Sequence, residues 1–579
     1  MYNKNITVYY NGEKDRFELD VPYMFSGVAQ ALPSRKWNKK SRRWFAPVIR
    51  KNAEHIAKNI GTMSSTKIMP EAADAIAKCL ERAHNRQRIA FPSWYKHTMP
   101  PRSYQSTALD MAYSLPYFAL FMCVGSGKTK VAIDTLAARA MTSGELNIDA
   151  AVVACPYSIR ANWIDQFKQH CPIAFDICVL EPATKEGRNN YERVKSATDK
   201  LRVLVVGIES LSTTGNAHRY TKNFITETKA SMIVDESSRI KNANAKRTQN
   251  ITTLGRNCHH RLMLTGTPIT QGIIDLYAQM EYLSSDIVGV GDYYSFRNTY
   301  AVMGGYNNKE IIGYKNVDEL LESISPYVFQ VTAEEALSEL PEKTYMTRYV
   351  SMTKEQKEVY DDITNNKIIR SEESDINIQN ALEKLMRLQQ VTGGFTVDQH
   401  VDPITEKAVT TPVPLRSAKV DEVLDITEES AGSTIVWCRF RPEIAAVAAA
   451  LRKKYGDDAV VEFHGGINAD QRWANVRAFE SRKARFFVGN QSTGGIGLTL
   501  IAATLVIYYS NTFSYEDRIQ SEARNHRIGQ KNPVTYIDLL CSRSIDEHVI
   551  DVVKEKGSMA AFVKEAIRNG RDVVKALGG

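Results

Sequence analysis

The 579-residue chain has no stretch approaching the ~18 consecutive apolar residues that a membrane-spanning helix requires, so no membrane partner is expected. Its opening, Met1-Tyr2-Asn3-Lys4-Asn5, lacks the apolar run of a secretory signal. Together these absences predict a cytoplasmic protein. The eight cysteines include no C-x-x-C pair, and Cys155, Cys438 and Cys541 stand in apolar, strand-like runs, the setting of reduced buried thiols. Cys258-His259-His260 groups metal-binding residue types, but three adjacent residues cannot surround one tetrahedral ion, and no structural zinc is expected. Repeats at a solenoid period and long low-complexity tracts are also missing. Excess charge is small: 74 Lys+Arg against 66 Asp+Glu leave +8, which permits a polyanionic partner without demanding one.

What is present reads as a globular chain too long for a single core. Ile6-Thr7-Val8-Tyr9-Tyr10 predicts a strand, Asn11-Gly12 a turn and Arg16-Phe17-Glu18-Leu19 the returning strand. A helix is expected over Glu71 to Arg88. From Phe118 onward short apolar strands alternate with helix-period segments: 118–122, 150–154, 203–206, 231–234 and 261–264, then 434–437, 460–463, 484–488, 505–508 and 535–540. Strands buried on both faces and separated by helices imply two parallel α/β sheets in tandem. Between them Met352–Leu388 is polar and helical, and Thr396–Pro414 reads as a surface loop. The expected plan is an accessory domain at 1–68, a helical connector at 69–99, lobes at 100–340 and 416–579, and an insertion at 341–415.

The strongest chemical signal is Val124-Gly125-Ser126-Gly127-Lys128-Thr129, set between a predicted strand and a predicted helix. Two glycines let backbone N–H groups curl around a phosphate, and the helix N-terminus adds a positive dipole end. Lys128 would neutralise the β- and γ-phosphates of ATP, and the Thr129 hydroxyl would ligate Mg²⁺. Met122 stands where the full phosphate-loop pattern places its first glycine. The acidic partner is Asp235-Glu236, at the end of the apolar run 231–234. There Asp235 would hold Mg²⁺ through water, while Glu236 would orient and deprotonate the attacking water.

Tyr104-Gln105, Ala154-Cys155-Pro156, Gly207-Ile208-Glu209-Ser210, Asp235-Glu236-Ser237-Ser238-Arg239-Ile240-Lys241-Asn242 and Leu264-Thr265-Gly266-Thr267-Pro268 resemble, in chain order, motifs of helicase superfamily two, specifically the Swi/Snf family of DNA-dependent ATPases and translocases. In the second half, Ile435–Phe440, Ser492–Leu498 and Gln520–Gln530 resemble the family's fourth, fifth and sixth motifs. The likeness runs from Arg102 to Glu547. It implies an α/β fold of two tandem RecA-like lobes with a small α+β accessory domain at the N-terminus. It implies that Gln105 reads adenine and that Gly497 and Gln520 join Gly125, Ser126 and Gly127 around the nucleotide. Arg524 and Arg527 are three apart, on one predicted helical face, and suit an arginine finger from the second lobe. The sequence departs from the family at Ser238, which replaces a histidine, at Val124 and Ser126, and at Phe329-Gln330, where basic residues are usual.

The resemblance also places Pro156, Ser210, Arg439, Thr493, Gly494 and Gly495 on a nucleic-acid backbone, a mode with weak sequence preference and strong salt dependence. In the N-terminal region Arg35, Lys36, Lys39, Lys40, Arg42 and Arg43 interleave with Trp37 and Trp44, a composition suited to a polyanion with stacking bases. The two tryptophans are expected in the core of that hairpin. Leu32 to Pro47 resembles the HepA-related (HARP-like) module of annealing-helicase relatives. The resulting expectation is a monomeric ATP-dependent translocase on double-stranded or branched DNA, nucleoid-associated in a bacterial or phage-infected cell. A strand-separating DNA or RNA helicase is an alternative, although no wedge hairpin is legible. A non-catalytic DNA-binding scaffold is the other.

Overall fold

A computed structural model describes residues 5–12, 16–32, 35–48, 50–84, 89–270, 272–305, 310–336, 340–365, 378–401, 408–491, 498–527 and 529–569. At the N-terminus Phe17 and Leu19 are buried while their neighbours are half-exposed, the period-two pattern of a sheet with one covered face. Strands β1 (Ile6–Asn11), β2 (Arg16–Asp20), β3 (Lys36–Asn38), β4 (Arg43–Pro47) and β5 (Thr66–Ile68) form a sheet in the order β3-β4-β2-β1-β5. The expected hairpin is present, with Asn11 opposite Arg16. The helix Pro70–His84, expected as a connector, buries Ala72, Ile76 and Cys79 in the core of this sheet and so belongs to the N-terminal module.

The next sheet contains β6 (Tyr117–Met122), β7 (Ala150–Cys155), β8 (Phe175–Val179), β9 (Leu201–Gly207), β10 (Ala230–Asp235) and β11 (His260–Thr265). An antiparallel ribbon, β12 (Ala301–Gly304) with β13 (Glu310–Tyr314), precedes β14 (Val328–Val331), which returns to the sheet. The order is β14-β6-β11-β10-β7-β9-β8, with every pairing parallel. Strands β7, β9, β10 and β11 are buried along their whole length, as continuous apolar runs require. The two strands the sequence does not announce, β8 and β14, are the sheet's edges, where burial is partial and Asp176 and Gln330 interrupt the apolar pattern.

A second compact unit runs from Ala333 to Met559, whereas the first takes in the chain up to Thr332 together with the segment from Ala560 onward. Its sheet comprises β15 (Lys343–Val350), β18 (Ser433–Cys438), β19 (Val460–Phe463), β20 (Phe486–Asn490), β21 (Ala503–Tyr508) and β22 (Val534–Cys541), in the order β15-β22-β21-β18-β20-β19 and again all parallel. Alternate residues of β18 enter different cores: Val436 and Cys438 on one face, Ile435 and Trp437 on the other. Two expectations for 341–415 are overturned here. Residues 343–350 are an edge strand paired with β22 over eight positions, and their mixed polar and aromatic character hid them. Within 396–414 two stretches are strands and not loop: β16 (Phe395–Val401) and β17 (Ala408–Pro414) pair antiparallel as a two-stranded ribbon that no further strand joins among the described residues. The ribbons β12–β13 and β16–β17 are hairpins the sequence reading did not foresee.

The helices Lys354–Asn365 and Ile378–Thr392 occupy the expected polar helical stretch. All eight cysteines are free thiols. Among the described residues no helix is long and apolar enough to cross a membrane.

Candidate functional site

Strand β6 ends at Met122 and the helix Lys128–Met141 begins six residues later. Gly125 and Gly127 both sit at φ +85°, a left-handed backbone that residues with a Cβ rarely adopt. A Cβ on Gly127 would also collide with Gln105 Nε2. Lys128 is buried, and its ammonium donates to the carbonyls of Met122 (2.9 Å) and Cys123 (3.2 Å), so the charge is held inside the loop. Tyr104 OH (3.0 Å) and Gln105 Nε2 (2.8 Å) both donate to the Ser126 carbonyl. Gln105 Oε1 accepts from the Arg102 N–H at 2.9 Å, so both ends of the amide that was expected to read adenine already hold the chain.

Two strands away, β10 delivers Asp235. It is 7% exposed and accepts from Trp163 Nε1 and from the Glu236 N–H, each at 3.0 Å. Burial raises its carboxyl above the usual range, while the Lys128 ammonium and the two hydrogen bonds oppose that rise. Glu236 lies at φ 51°, ψ 57°, in the left-handed region that costs a non-glycine residue about 1 kcal/mol or more. Ser237 Oγ donates to Gln279 Oε1 (2.8 Å), and Gln279 Nε2 donates to the Pro268 carbonyl (2.6 Å). The acidic turn and the turn after β11 are thereby joined through one amide. The turn after β11 also reaches the phosphate loop, because a Cβ on Gly266 would lie 3.2 Å from Val124 Cγ2. Three loops at the C-terminal ends of the neighbouring strands β6, β11 and β10 thus form one cluster, the position where parallel α/β sheets bind ligands. Thr129, in the first turn of the helix, and Asp235 offer oxygen donors of the kind Mg²⁺ takes. Two such donors suit an ion that brings further oxygens with it.

In the second unit Gln520 is buried and donates to Glu516 Oε1 at 3.1 Å. The helix Tyr515–Glu522 stops before Arg524, so the expectation that Arg524 and Arg527 share a helical face is overturned. Past the helix end the Glu522 carbonyl accepts from both the His526 N–H (3.1 Å) and Tyr536 OH (3.2 Å), and the Asn525 carbonyl from Gln530 Nε2 (3.2 Å). Arg524 is 5% exposed and its carbonyl accepts from the Leu500 N–H. Arg527 donates to the Leu498 carbonyl at 3.1 Å; burial pushes its guanidinium pKa down, against the pull of Glu480. Thr493, Gly494, Gly495 and Gly497 lie outside the described residues.

The residues expected on nucleic acid divide. Pro156 and Ser210 follow the paired strands β7 and β9, joined by the Tyr157 N–H on Glu209 Oε2 (2.9 Å). Tyr157 itself, unremarked in the sequence, is 59% exposed beneath the Arg160 guanidinium. Arg439 is half-buried, with its guanidinium on Gln389 Oε1 and against the Phe440 ring. In the N-terminal module Arg35, Lys36, Lys39, Lys40 and Arg42 are exposed, and Lys36 lies 3.8 Å from Asp292. Arg43 differs, resting over Tyr9 and within 3.5 Å of Glu18 Oε2. Trp37 is 45% exposed, contrary to its expected place in the core, because β3 is a three-residue edge strand; Trp44 is the half-buried partner that packs on the core.

The family "SNF2-related domain" matches residues 49–393, and "Helicase conserved C-terminal domain" matches 417–529. The chain is 24% identical to the chromodomain-helicase-DNA-binding protein 1-like of Danio rerio, over 73% of this chain and 40% of that protein. It is 24% identical to an uncharacterized ATP-dependent helicase of Mycoplasma genitalium, over 74% and 38% respectively. With the human SWI/SNF-related matrix-associated actin-dependent regulator of chromatin subfamily A member 1 it shares 23% identity, over 83% and 45%. The chain therefore spans about two fifths of the length of these relatives. A solved SWI2/SNF2 ATPase core from Sulfolobus solfataricus in complex with dsDNA is 20% identical, with 83% of this chain and 98% of that chain covered and a TM-score of 0.37.

Proposed function

The chain belongs to the SNF2-related family within helicase superfamily two, and on that premise we propose that it is a DNA-dependent ATPase that translocates on or remodels double-stranded or branched DNA. The observation that carries this reading is the cluster of three loops at the ends of β6, β11 and β10, where a buried lysine beside a glycine loop lies within electrostatic reach of a buried aspartate. In the proposed assignment the backbone N–H groups of Gly125, Ser126 and Gly127, with Lys128, hold the β- and γ-phosphates of ATP. Thr129 and Asp235 hold Mg²⁺, which when bound draws charge off the phosphate oxygens. Glu236 orients and deprotonates the attacking water, and its left-handed backbone fixes where its carboxylate starts. Arg524 and Arg527 meet charge on the transferring phosphoryl group. Gln105, Gln520 and Gly497 complete the nucleotide contacts. One amide hydrogen and one lone pair of Gln105 remain available to a base.

The proposed nucleic-acid surface comprises Pro156 and Ser210, the segment Thr493–Gly495 and the exposed N-terminal cations, with a HARP-like module as the accessory domain. We assign that domain to residues up to 84, the first motor lobe to 100–332 and the second to 333–559. The test is ATP turnover with no DNA, with duplex and with forked DNA. Stimulation by DNA is expected, and equal rates in all three would count against the reading. Lys128→Ala should abolish turnover, and Glu236→Gln should abolish it while sparing nucleotide binding.

One observation favours strand separation as a second reading. The ribbon β12–β13 exposes Ile311 (38%) and Ile312 (64%), apolar side chains of the kind that wedge between bases. Efficient opening of a fork without displacement of a third strand from a triplex would support that alternative.

A further inference from the structure

We infer that Tyr104 is a positioning residue that sets the orientation of the peptide between Ser126 and Gly127, and so the aim of a phosphate-binding N–H. The inference rests on the ATPase reading above. Ser126 is 1% exposed, and its carbonyl accepts two hydrogen bonds from neighbouring side chains of the helix Ser103–Ser114, from Tyr104 OH at 3.0 Å and Gln105 Nε2 at 2.8 Å. Two donors fill both lone pairs of that oxygen. A trans peptide is planar, with its C=O and N–H pointing in opposite directions. Fixing the Ser126 carbonyl toward the helix therefore fixes the Gly127 N–H away from it, into the concave side of the loop. Gly127 has no side chain to resist rotation of this peptide, and its φ of +85° belongs to a residue for which several backbone wells are accessible. Without the clamp, the peptide could turn its carbonyl inward and present a negative dipole where an anion is to bind.

Gln105 is the more constrained of the two donors, since its other end is anchored on the Arg102 N–H. Tyr104 contributes its hydroxyl, which the Arg102 side chain also engages, and burial pushes its pKa up against the pull of Arg102, which keeps the proton in place for donation. The clamp acts on a loop that touches the β-phosphate, so its loss should weaken ligands carrying that phosphate and spare those without it.

The experiment compares ADP and AMP binding by calorimetry in the full chain, wild type against Tyr104→Phe and Tyr104→Ala, with thermal midpoints as a folding control. Tyr104→Phe is expected to weaken ADP about tenfold, the magnitude of one hydrogen bond, with AMP affinity and midpoint unchanged. ADP binding by Tyr104→Phe equal to wild type would overturn the inference and leave the ATPase reading intact. A Phe variant that binds normally beside an Ala variant that loses ADP and AMP together would instead make Tyr104 a base-stacking ring. A wild-type chain that binds no ADP would remove both readings.

Discussion

Glu443 shows how one buried carboxyl couples structure to pH. It is fully buried, and its Oε2 accepts from the N–H groups of Arg439 and Phe440 and from Ser510 Oγ. Burial nevertheless pushes its pKa up to about 7, from 4.5. A raised carboxyl favours the protonated form in the native state, so its contribution is full below about 4.5 and is lost as pH rises through about 7. Glu443→Gln should therefore gain thermal midpoint relative to wild type as pH increases across that window, and a constant difference would contradict the assignment. Gln330, half-buried as a residue, is a second case through its buried amide atoms. Neither end of its amide has a partner among the described residues, one strand away from the phosphate loop. Removing an unpartnered buried amide relieves its desolvation, so Gln330→Leu should be neutral or stabilising by about 1 kcal/mol in denaturant titration.

At the level of elements, the helix behind the phosphate loop is held by a buried charge cluster. Asp134 is 0% exposed and takes Lys130 Nζ at 2.6 Å, Tyr95 OH at 2.9 Å and His97 Nδ1 at 3.0 Å. The segment 89–99, which leads from the N-terminal module, is thus pinned to the helix that starts with Lys128. Asp134→Ala would strand the buried Lys130 ammonium, so a loss of about 3 kcal/mol is expected, together with proteolytic cleavage in 89–99. The turn after β3 carries Lys39, Lys40 and Arg42 exposed, whereas Arg43 is engaged by Glu18 and Tyr9. Replacing the first three by alanine should lower the logarithmic salt slope of DNA binding by about 2 to 3. Arg43→Ala should change stability and leave that slope nearly unaltered.

Two compact units, each with its own buried core, predict unfolding in more than one transition. The residues proposed to hold the phosphates and Mg²⁺, Gly125 to Thr129 and Asp235, lie in the first unit, whereas the second unit is proposed to add only Gln520 and Gly497 to ADP. Saturating ADP should therefore raise one transition selectively, by about 2.7 kcal/mol at a hundredfold excess over Kd. Lys128→Ala should remove that shift, which differential scanning calorimetry reads directly.

The apolar runs of β7, β9, β10 and β11 were legible because strands buried on both faces leave an unbroken hydrophobic signature. The glycine turn after β6 and the carboxylates at the end of β10 were legible in place for the same local reason: the chemistry proposed for them needs fixed residue types at fixed spacing. The edge strands β8, β14 and β15 were not, since much of their surface is free to be polar, whereas β19, also an edge, was foreseen at 460–463. Also illegible were the end of the helix at Glu522, the exposure of Trp37 and the grip of Tyr104 on Ser126, the last two set by a place at an edge and by a partner distant in the chain. Sequence determined which residue types stand at the strand ends and on which kind of sheet. Tertiary structure alone decided which polar groups face each other, because a hydrogen bond depends on distance and direction that no linear spacing encodes.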